Sequence, residues 1–522
     1  MRALRITFLA LSALDTRMLN DYLKKILAAR VYDVAIESPL HVANFLSERL
    51  GNQIWVKRED KQPVYSFKLR GAYNKVVQLT DAEKAAGVIA ASAGNHAQGL
   101  ALAAKELGIK AIIVMPRTTP EIKVMSVKAR GAKVVLFGDS FDEALAHSQK
   151  LVEEKGYTYI HPYDDPDIIA GQGTVGMEIL RQLSTAPDAI FIPVGGGGLC
   201  AGIAAFVKAL APQVRIVAVE STESACLAAA MAANDRVVLP QVGIFADGVA
   251  VAQIGKYTWE VCKDHVDEVI TCTPDEICAA IKDIFDDTRA ICEPAGALAL
   301  AGLKKYVERE QCRDKNLVTI MSGANMNFDR LRYISEVAEI GEGREVILAV
   351  TIPEEPGSFQ RFCSLLGKRP ITEFNYRFAD EGKAQIYVGV KVGAEAGARD
   401  ALLAELHGDD YPVLDITDNE IAKYHIRHMV GGHAPAAVTD ERVYRFEFPE
   451  RPGALLNFLR KLGKKFNISL FHYRNHGAAF GRVLVGLQVT DDKRDQLHGY
   501  LEELGYGYWD ETENTAYQLF LR

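Results

Sequence analysis

Lys68 lies in Tyr65-Ser66-Phe67-Lys68-Leu69-Arg70-Gly71-Ala72-Tyr73, one amine set between an aromatic residue and a small-residue turn. Taken alone, such a lysine reads as a stem laid along the core with its ammonium in water. Two later segments alter that reading. Ser92-Ala93-Gly94-Asn95-His96-Ala97-Gln98-Gly99 and Gly195-Gly196-Gly197-Gly198-Leu199 are small-residue loops that open helices. Their backbone N–H groups suit one to a carboxylate and the other to a phosphate. By itself the four-glycine run is equally a tight strand-to-helix turn. A lysine, an anion loop and a phosphate loop together suggest pyridoxal phosphate. His96, at a helix start, reads as a packed residue rather than a base.

The elements that must hold these residues are legible from periodicity. From Asn20, a candidate N-cap, to about Leu50 the pattern is largely helical with a break at Pro39-Leu40, and residues 52–59 form a short strand leading to Lys68. A helix follows from Lys68 to Leu79. Strands are expected at 87–91, 111–115, 134–137, 189–194, 214–219 and 317–321, separated by helices at 97–107, from Thr119-Pro120 to Gly131, from the capping box Ser140-x-x-Glu143, and up to Leu210. Continuous apolar strands alternating with helices predict an open parallel sheet covered on both faces. The three small-residue loops, including Ser322-Gly323-Ala324-Asn325, then fall at carboxyl ends of strands, where such sheets bind ligands.

With 522 residues the chain is too long for one core, and ~150 residues per domain suggests about three or four domains or subdomains. A hydrophobic content of 48%, a charged content of 25% and a net charge of −8 are those of a soluble protein without a basic patch for nucleic acid or anionic membrane. The eight cysteines are scattered, with no metal-ligand spacing, and read as reduced thiols of a cytoplasmic protein. Residues 1–17 carry arginines and a short apolar run. They read as an extension or a misassigned start ahead of Met18, and no run is long enough to cross a bilayer.

An internal repeat begins near Gly341-Glu342-Gly343. Pro353-Glu354-Glu355-Pro356-Gly357 returns as Pro449-Glu450-Arg451-Pro452-Gly453, 96 residues later, and Asn375-Tyr376-Arg377 returns as His472-Tyr473-Arg474 at an offset of 97. Each copy reads strand, Pro-Gly turn, helix, strand, hairpin, strand, a small α+β unit of the ferredoxin-like type, with 430–435 as a linker. The expected organisation is an extension over 1–18, an enzyme-like part over 19–342, and two copies of the repeated module over 343–429 and 437–522.

In these residues the chain resembles the pyridoxal-phosphate enzymes of the tryptophan-synthase-β fold type, and among them the biosynthetic threonine dehydratases. The resemblance rests on residues 66–72, 92–99 and 195–199, on Glu293-Pro294-Ala295-Gly296-Ala297, on 322–325 and on the paired repeats. It implies a two-lobed α/β catalytic part followed by two ACT-like modules. It also implies that Lys68, beside Phe67, carries the cofactor and then removes the α-proton, and that Asn95 bonds the cofactor's 3′-oxygen. Gly195, Gly196, Gly197, Gly198 and Leu199 hold the phosphate, Ser322 meets the pyridine nitrogen, and Ser92, Ala93, Gly94, Asn95 and His96 receive the substrate.

The implied reaction is elimination of water from L-threonine to give 2-oxobutanoate and ammonia in a homotetramer. Isoleucine inhibits through the modules carrying Tyr376 and Tyr473, and valine opposes it. No metal is implied. Glu293 is either a cofactor contact or a plain helix-opening residue. A serine-directed dehydratase or racemase, and an amino-acid sensor with a vestigial catalytic part, are the competing readings.

Overall fold

The computed structural model describes residues 17–341, 344–353, 362, 365–366, 369, 371–377, 383–393, 397–408, 412–426, 440–449, 467–474 and 480–522. Contacts divide the chain into Met1–Phe328 and Asp329–Arg522. The division precedes the helix Arg330–Gly341, so that helix groups with the second unit although composition changes only near 342.

In the first unit the strands are β1 (Leu40–Val42), β2 (Gln53–Arg58), β3 (Val88–Ala91), β4 (Ala111–Met115), β5 (Lys133–Leu136), β6 (Thr158–Tyr159), β7 (Ala189–Pro193), β8 (Arg215–Ser221), β9 (Glu268–Cys272) and β10 (Asn316–Met321). They form one sheet ordered β1-β2-β10-β7-β8-β9, parallel except for β1, and a second ordered β5-β4-β3-β6, parallel throughout. β3, β4 and β7 are buried at every position, as strands covered on both faces must be. The helices Pro166–Gln182 and Gly198–Leu210 contribute much of the larger sheet's core.

Two local expectations are corrected. Residues 17–27 are helical, so Asn20 lies inside a helix rather than capping one, and the chain leaves the helix before a β-strand at 40–42 and a further helix at 44–50. The reason is tertiary. The N–H groups of Arg30, Ile36 and Ser38 are taken by the side chains of Asn74, Gln62 and Glu178, which satisfies the backbone without a helix. Thr119 does not cap the next helix either. Pro120, with φ −54° and ψ 139°, occupies the cap position of Glu121–Lys128, and the buried Thr119 hydroxyl has no partner among the described residues.

The second unit repeats one design. β11 (Glu345–Pro353), β12 (Ile371–Arg377), β13 (Lys383–Lys391) and β14 (Val413–Asp415) form an antiparallel sheet ordered β12-β13-β11-β14. β15 (Glu441–Pro449), β16 (Asn467–Arg474), β17 (Phe480–Gln488) and β18 (Gly507–Asp510) form its counterpart, ordered β16-β17-β15-β18. Both copies carry a bulge at equivalent points, before Glu373 opposite Gly389 and before Leu470 opposite Gly486. The sheet order is ferredoxin-like, and each copy adds a second helix, Ala398–Gly408 or Arg494–Leu504, and a fourth strand beyond what the sequence pattern suggested. The Pro-Gly turns and the 430–435 segment fall outside the described residues.

The two copies share a core. Ile347, Ala349, Tyr387, Ile421 and Ala422 from the first pack with Val443, Leu484, Ala516 and Tyr517 from the second. Asn419 and Asn514 cap the short helices Glu420–Tyr424 and Thr515–Phe520, and Asn419 Nδ2 donates to Asn514 Oδ1 at 3.2 Å. Tyr387 is fully buried there and its hydroxyl donates to the Ala422 carbonyl at 2.7 Å. Tyr387→Ala should therefore destabilise this unit by about 3–5 kcal/mol, the range for truncating a buried ring. Calorimetry of the full chain should show a lowered transition for it.

Candidate active site

Lys68 is the first residue of the helix Lys68–Val77, and its neighbours come from three directions. The Lys68 Nζ donates to the Pro162 carbonyl at 2.9 Å and lies 5.3 Å from the Phe67 ring centroid. The residue as a whole is half-buried. Enough protein encloses the amine that desolvation lowers its pKa to about 8, with Glu293 opposing the fall. Two residues further on, Arg70 is buried and held by Glu59 and Glu178, and Lys57 pairs with Glu178 at 2.6 Å.

The glycine loop follows β7 and opens the helix Gly198–Leu210, with Gly197 in the left-handed region at φ +91°. Among the described residues nothing accepts a hydrogen bond from the N–H groups of Gly195 to Leu199. Consecutive free N–H groups at a helix start are an anion site. A Cβ on Gly196 would stand 2.3 Å from the Tyr163 ring, so only glycine lets that ring lie against the loop. The Thr258 hydroxyl donates to the Gly196 carbonyl at 2.8 Å, and the Cys226 thiol donates to that of Gly195 at 3.4 Å, which fixes the loop from behind. Sequence reasoning missed Pro162 and Tyr163. They follow β6, a two-residue strand too short to leave a periodic signal.

The loop Ser92-Ala93-Gly94 lies half-buried after β3 and leads into the helix Asn95–Glu106, whose Asn95, His96 and Ala97 N–H groups are also without an acceptor among the described residues. The His96 ring is turned away from any catalytic use: it meets the Ile160 carbonyl at 2.9 Å, and burial lowers its pKa to about 3. It is a neutral packed residue at all ordinary pH values.

The third loop, after β10, is strapped antiparallel to the lysine segment. Phe67 N–H donates to Ser322 O at 3.2 Å, Ala324 N–H donates to Tyr65 O at 2.9 Å, and Ser66 bridges Gly323. Ser322 is buried, its hydroxyl donating to the Ala295 carbonyl at 3.2 Å. Glu293 Oε1 accepts from Asn95 Nδ2 at 2.5 Å, which joins Glu293 to this cluster. The structure thus brings together Phe67, Lys68, Asn95, Glu293 and Ser322 from four separate stretches of sequence. Tyr376 and Tyr473 lie in the second unit at equivalent points on the edge strands β12 and β16, opposite Ile386 and Val483.

Residues 31–323 match the family of pyridoxal-phosphate dependent enzymes. Residues 336–426 and 432–521 match the C-terminal regulatory domain of threonine dehydratase, once for each repeat. The chain is 53% identical over 505 residues to the biosynthetic L-threonine dehydratase IlvA of Burkholderia multivorans, covering 96% of this chain and 99% of that one. The chain belongs to the biosynthetic threonine dehydratases. It is likewise 53% identical to the Escherichia coli enzyme of that name, over 96% of this chain and 97% of that one. The processed form of threonine deaminase isoform 2 from Solanum lycopersicum superposes with a TM-score of 0.60 at 52% identity, covering 61% of this chain and 93% of that one.

The cofactor of this dehydratase is pyridoxal phosphate, and the residues present fit it. The free N–H row at Gly195–Leu199 suits its phosphate, and the lowered amine of Lys68 suits its aldehyde. The Ser66 hydroxyl, buried beside Lys68, has no partner among the described residues. In the cofactor-free dehydratase, labelling of Lys68 by an amine-reactive reagent should rise with a midpoint near pH 8. Because Glu293 raises the amine's pKa, Glu293→Gln should move that midpoint downward. A midpoint that stays put in the variant means the carboxylate does not act on Lys68.

Proposed function

We propose that Lys68 both carries the cofactor and moves the α-proton in the conversion of L-threonine to 2-oxobutanoate and ammonia. When bound, pyridoxal phosphate supplies an electron sink for the charge left at the substrate's α-carbon. An amine with a pKa of about 8 keeps a substantial unprotonated fraction near neutral pH. One at the reference value of ~10.4 would be almost entirely protonated there and unable to act as a base. The N–H groups of Asn95, His96 and Ala97 receive the substrate carboxylate at a helix start, and the loop Ser92-Ala93-Gly94 lines the approach. The Asn95 amide reaches the cofactor's 3′-oxygen, and Gly195 to Leu199 hold the phosphate.

Ser322 faces the pyridine nitrogen, to which its hydroxyl donates in exchange for the 3.2 Å bond to the Ala295 carbonyl. A hydroxyl there, in place of a carboxylate, leaves that nitrogen largely unprotonated, which favours elimination over transamination. The observation that carries the reading is the Lys68 amine itself, lowered by burial and tied through Pro162 and Tyr163 to the glycine loop. Borohydride reduction of the holoenzyme and peptide mapping should place the cofactor on Lys68. Lys68→Ala should keep the fold and lose both the covalent label and ammonia release from threonine. A label on another lysine overturns the assignment.

The paired modules support a regulatory reading, with isoleucine binding near Tyr376 and Tyr473 as the inhibiting end product and valine opposing it, in a cytoplasmic homotetramer. An effector shifts substrate affinity only by its preference for one of two states, typically ~1–3 kcal/mol or roughly 5–150-fold. Kinetics at subsaturating threonine should show isoleucine inhibition of the full chain, a weaker response in Tyr376→Ala, and none after removal of residues 343–522. L-serine run in parallel measures the discrimination conferred by one methyl group, about 1–3 kcal/mol. A full chain indifferent to isoleucine, or a truncated one still inhibited, rules out control through the modules.

A further inference from the structure

The side-chain amide of Asn95 is not free to choose which end it presents. Its orientation is set by a chain of hydrogen bonds that begins at a backbone carbonyl. Asn325 Nδ2 donates to Val64 O at 2.8 Å and to Asn95 Oδ1 at 2.6 Å. A carbonyl oxygen accepts and cannot donate, so Val64 decides which end of Asn325 is the NH2 group. That places a donor opposite Asn95 and commits Oδ1 of Asn95 to receiving it. Nδ2 of Asn95 is therefore the other end, and one of its two protons goes to Glu293 Oε1 at 2.5 Å. An ionised carboxylate also only accepts, so the two ends of the chain agree on its polarity. One N–H of Asn95 remains.

We propose that Asn325 and Glu293 are positioning residues that make Asn95 an obligate hydrogen-bond donor toward the cofactor's phenolic oxygen. The proposal rests on the assignment of Asn95 to that oxygen made above. A donor fixed on the oxygen favours its ionised form and lowers the pH at which it loses its proton. An amide free to flip would offer its own oxygen part of the time, which repels the ionised form. Asn325 can exert this control because its loop is pinned. Ala324 N–H bonds Tyr65 O, and Ser66 bridges Gly323, within three residues of Asn325. The lysine segment and the amide that orients Asn95 are thus parts of one strapped pair of chains.

Asn325→Asp tests this with little change in shape, because it sets an acceptor against Asn95 Oδ1 and leaves the Val64 carbonyl without a donor. Asn325→Ala removes the orienting donor without adding a repulsion. Both should be made in the full-length holoenzyme. Three quantities are read: pyridoxal phosphate affinity by equilibrium dialysis, the pH midpoint of the bound cofactor's visible absorption band, and the melting temperature. Loss of one hydrogen bond to a charged group predicts about tenfold weaker cofactor binding in Asn325→Asp. It also predicts a band midpoint displaced upward by about one pH unit, with smaller shifts in the same direction for Asn325→Ala.

A band midpoint unchanged in both variants overturns the proposal, even if their melting temperatures fall, because a merely structural asparagine would lower stability without moving the titration. If Asn325→Asp does not fold, the sign of the shift in Asn325→Ala decides. Reduction and mapping of the wild-type chain separates the two levels of inference. Cofactor found on Lys68 together with unmoved variant midpoints refutes the relay alone. Cofactor found elsewhere in the wild type refutes the site reading beneath it.

Discussion

The site depends on a set of charges that never reach solvent. Arg70 donates to both carboxylate oxygens of Glu59, to both of Glu178, to the Thr174 hydroxyl and to the Ile36 carbonyl. Lys57 completes the shell of Glu178 and also bonds Ser38 and Gln182. Two cations and two carboxylates balance in the interior. Desolvation makes such a group costly, and removing any one partner strands a buried charge at about 3–5 kcal/mol. The constraint matters because of where it acts. Arg70 sits on the first turn of the helix that Lys68 begins, and residues two apart on a helix point to different sides. One side of the turn is therefore locked to the turn Glu59–Lys61 that follows β2 and to the helix Pro166–Gln182, while the amine on the other meets the Pro162 carbonyl.

Close backbone approach does the rest of the positioning. Gly71, three residues after Lys68, meets Gly171 so closely that a Cβ on Gly171 would stand 2.6 Å from the Gly71 Cα. The lysine helix and the Pro166 helix cross there with no side chain between them, and the Pro166 helix in turn shares the larger sheet's core with the helix that opens on the glycine loop. Lys68 and the glycine loop are thus referred to one packed set of helices. An amine whose pKa depends on enclosure needs such close packing, since a small opening would readmit water and restore the ordinary value.

The regulatory unit follows another rule. Each sheet is covered on one face by helices of its own copy and on the other by a core that both copies supply. At one pair of equivalent places the repeats differ. Ala349 faces Leu414 across β11 and β14, whereas Arg445 faces Trp509 across β15 and β18, stacking on its ring at 4.3 Å and pairing with Glu511 and, in the other copy, Glu420. The asymmetry places one charged contact between two otherwise similar modules. The shared core, this ion pair and the Asn419–Asn514 hydrogen bond join the two copies, so that a change in one can be felt in the other.

The sequence by itself determined the kind of architecture and most of the chemistry. Apolar strands alternating with helices, loops of small residues at strand ends and a repeat near 96 residues are all local or periodic signals, and they survive without knowledge of what packs where. Lys68 stood out only in combination with the small-residue loops at 92–99 and 195–199, since its own neighbours read as those of a lysine laid along the core. What only the tertiary structure decided are the relations between distant segments. Residues 28–39 leave the helical pattern because side chains from Asn74, Gln62 and Glu178 take their backbone groups. Glu293 and Asn325 grip Asn95 across 198 and 230 residues of chain. Pro162 and Tyr163 enter the site from a segment without periodic signal. Hydrogen bonding between remote groups leaves no periodicity in a sequence, so those partners become visible only when the fold brings them within reach.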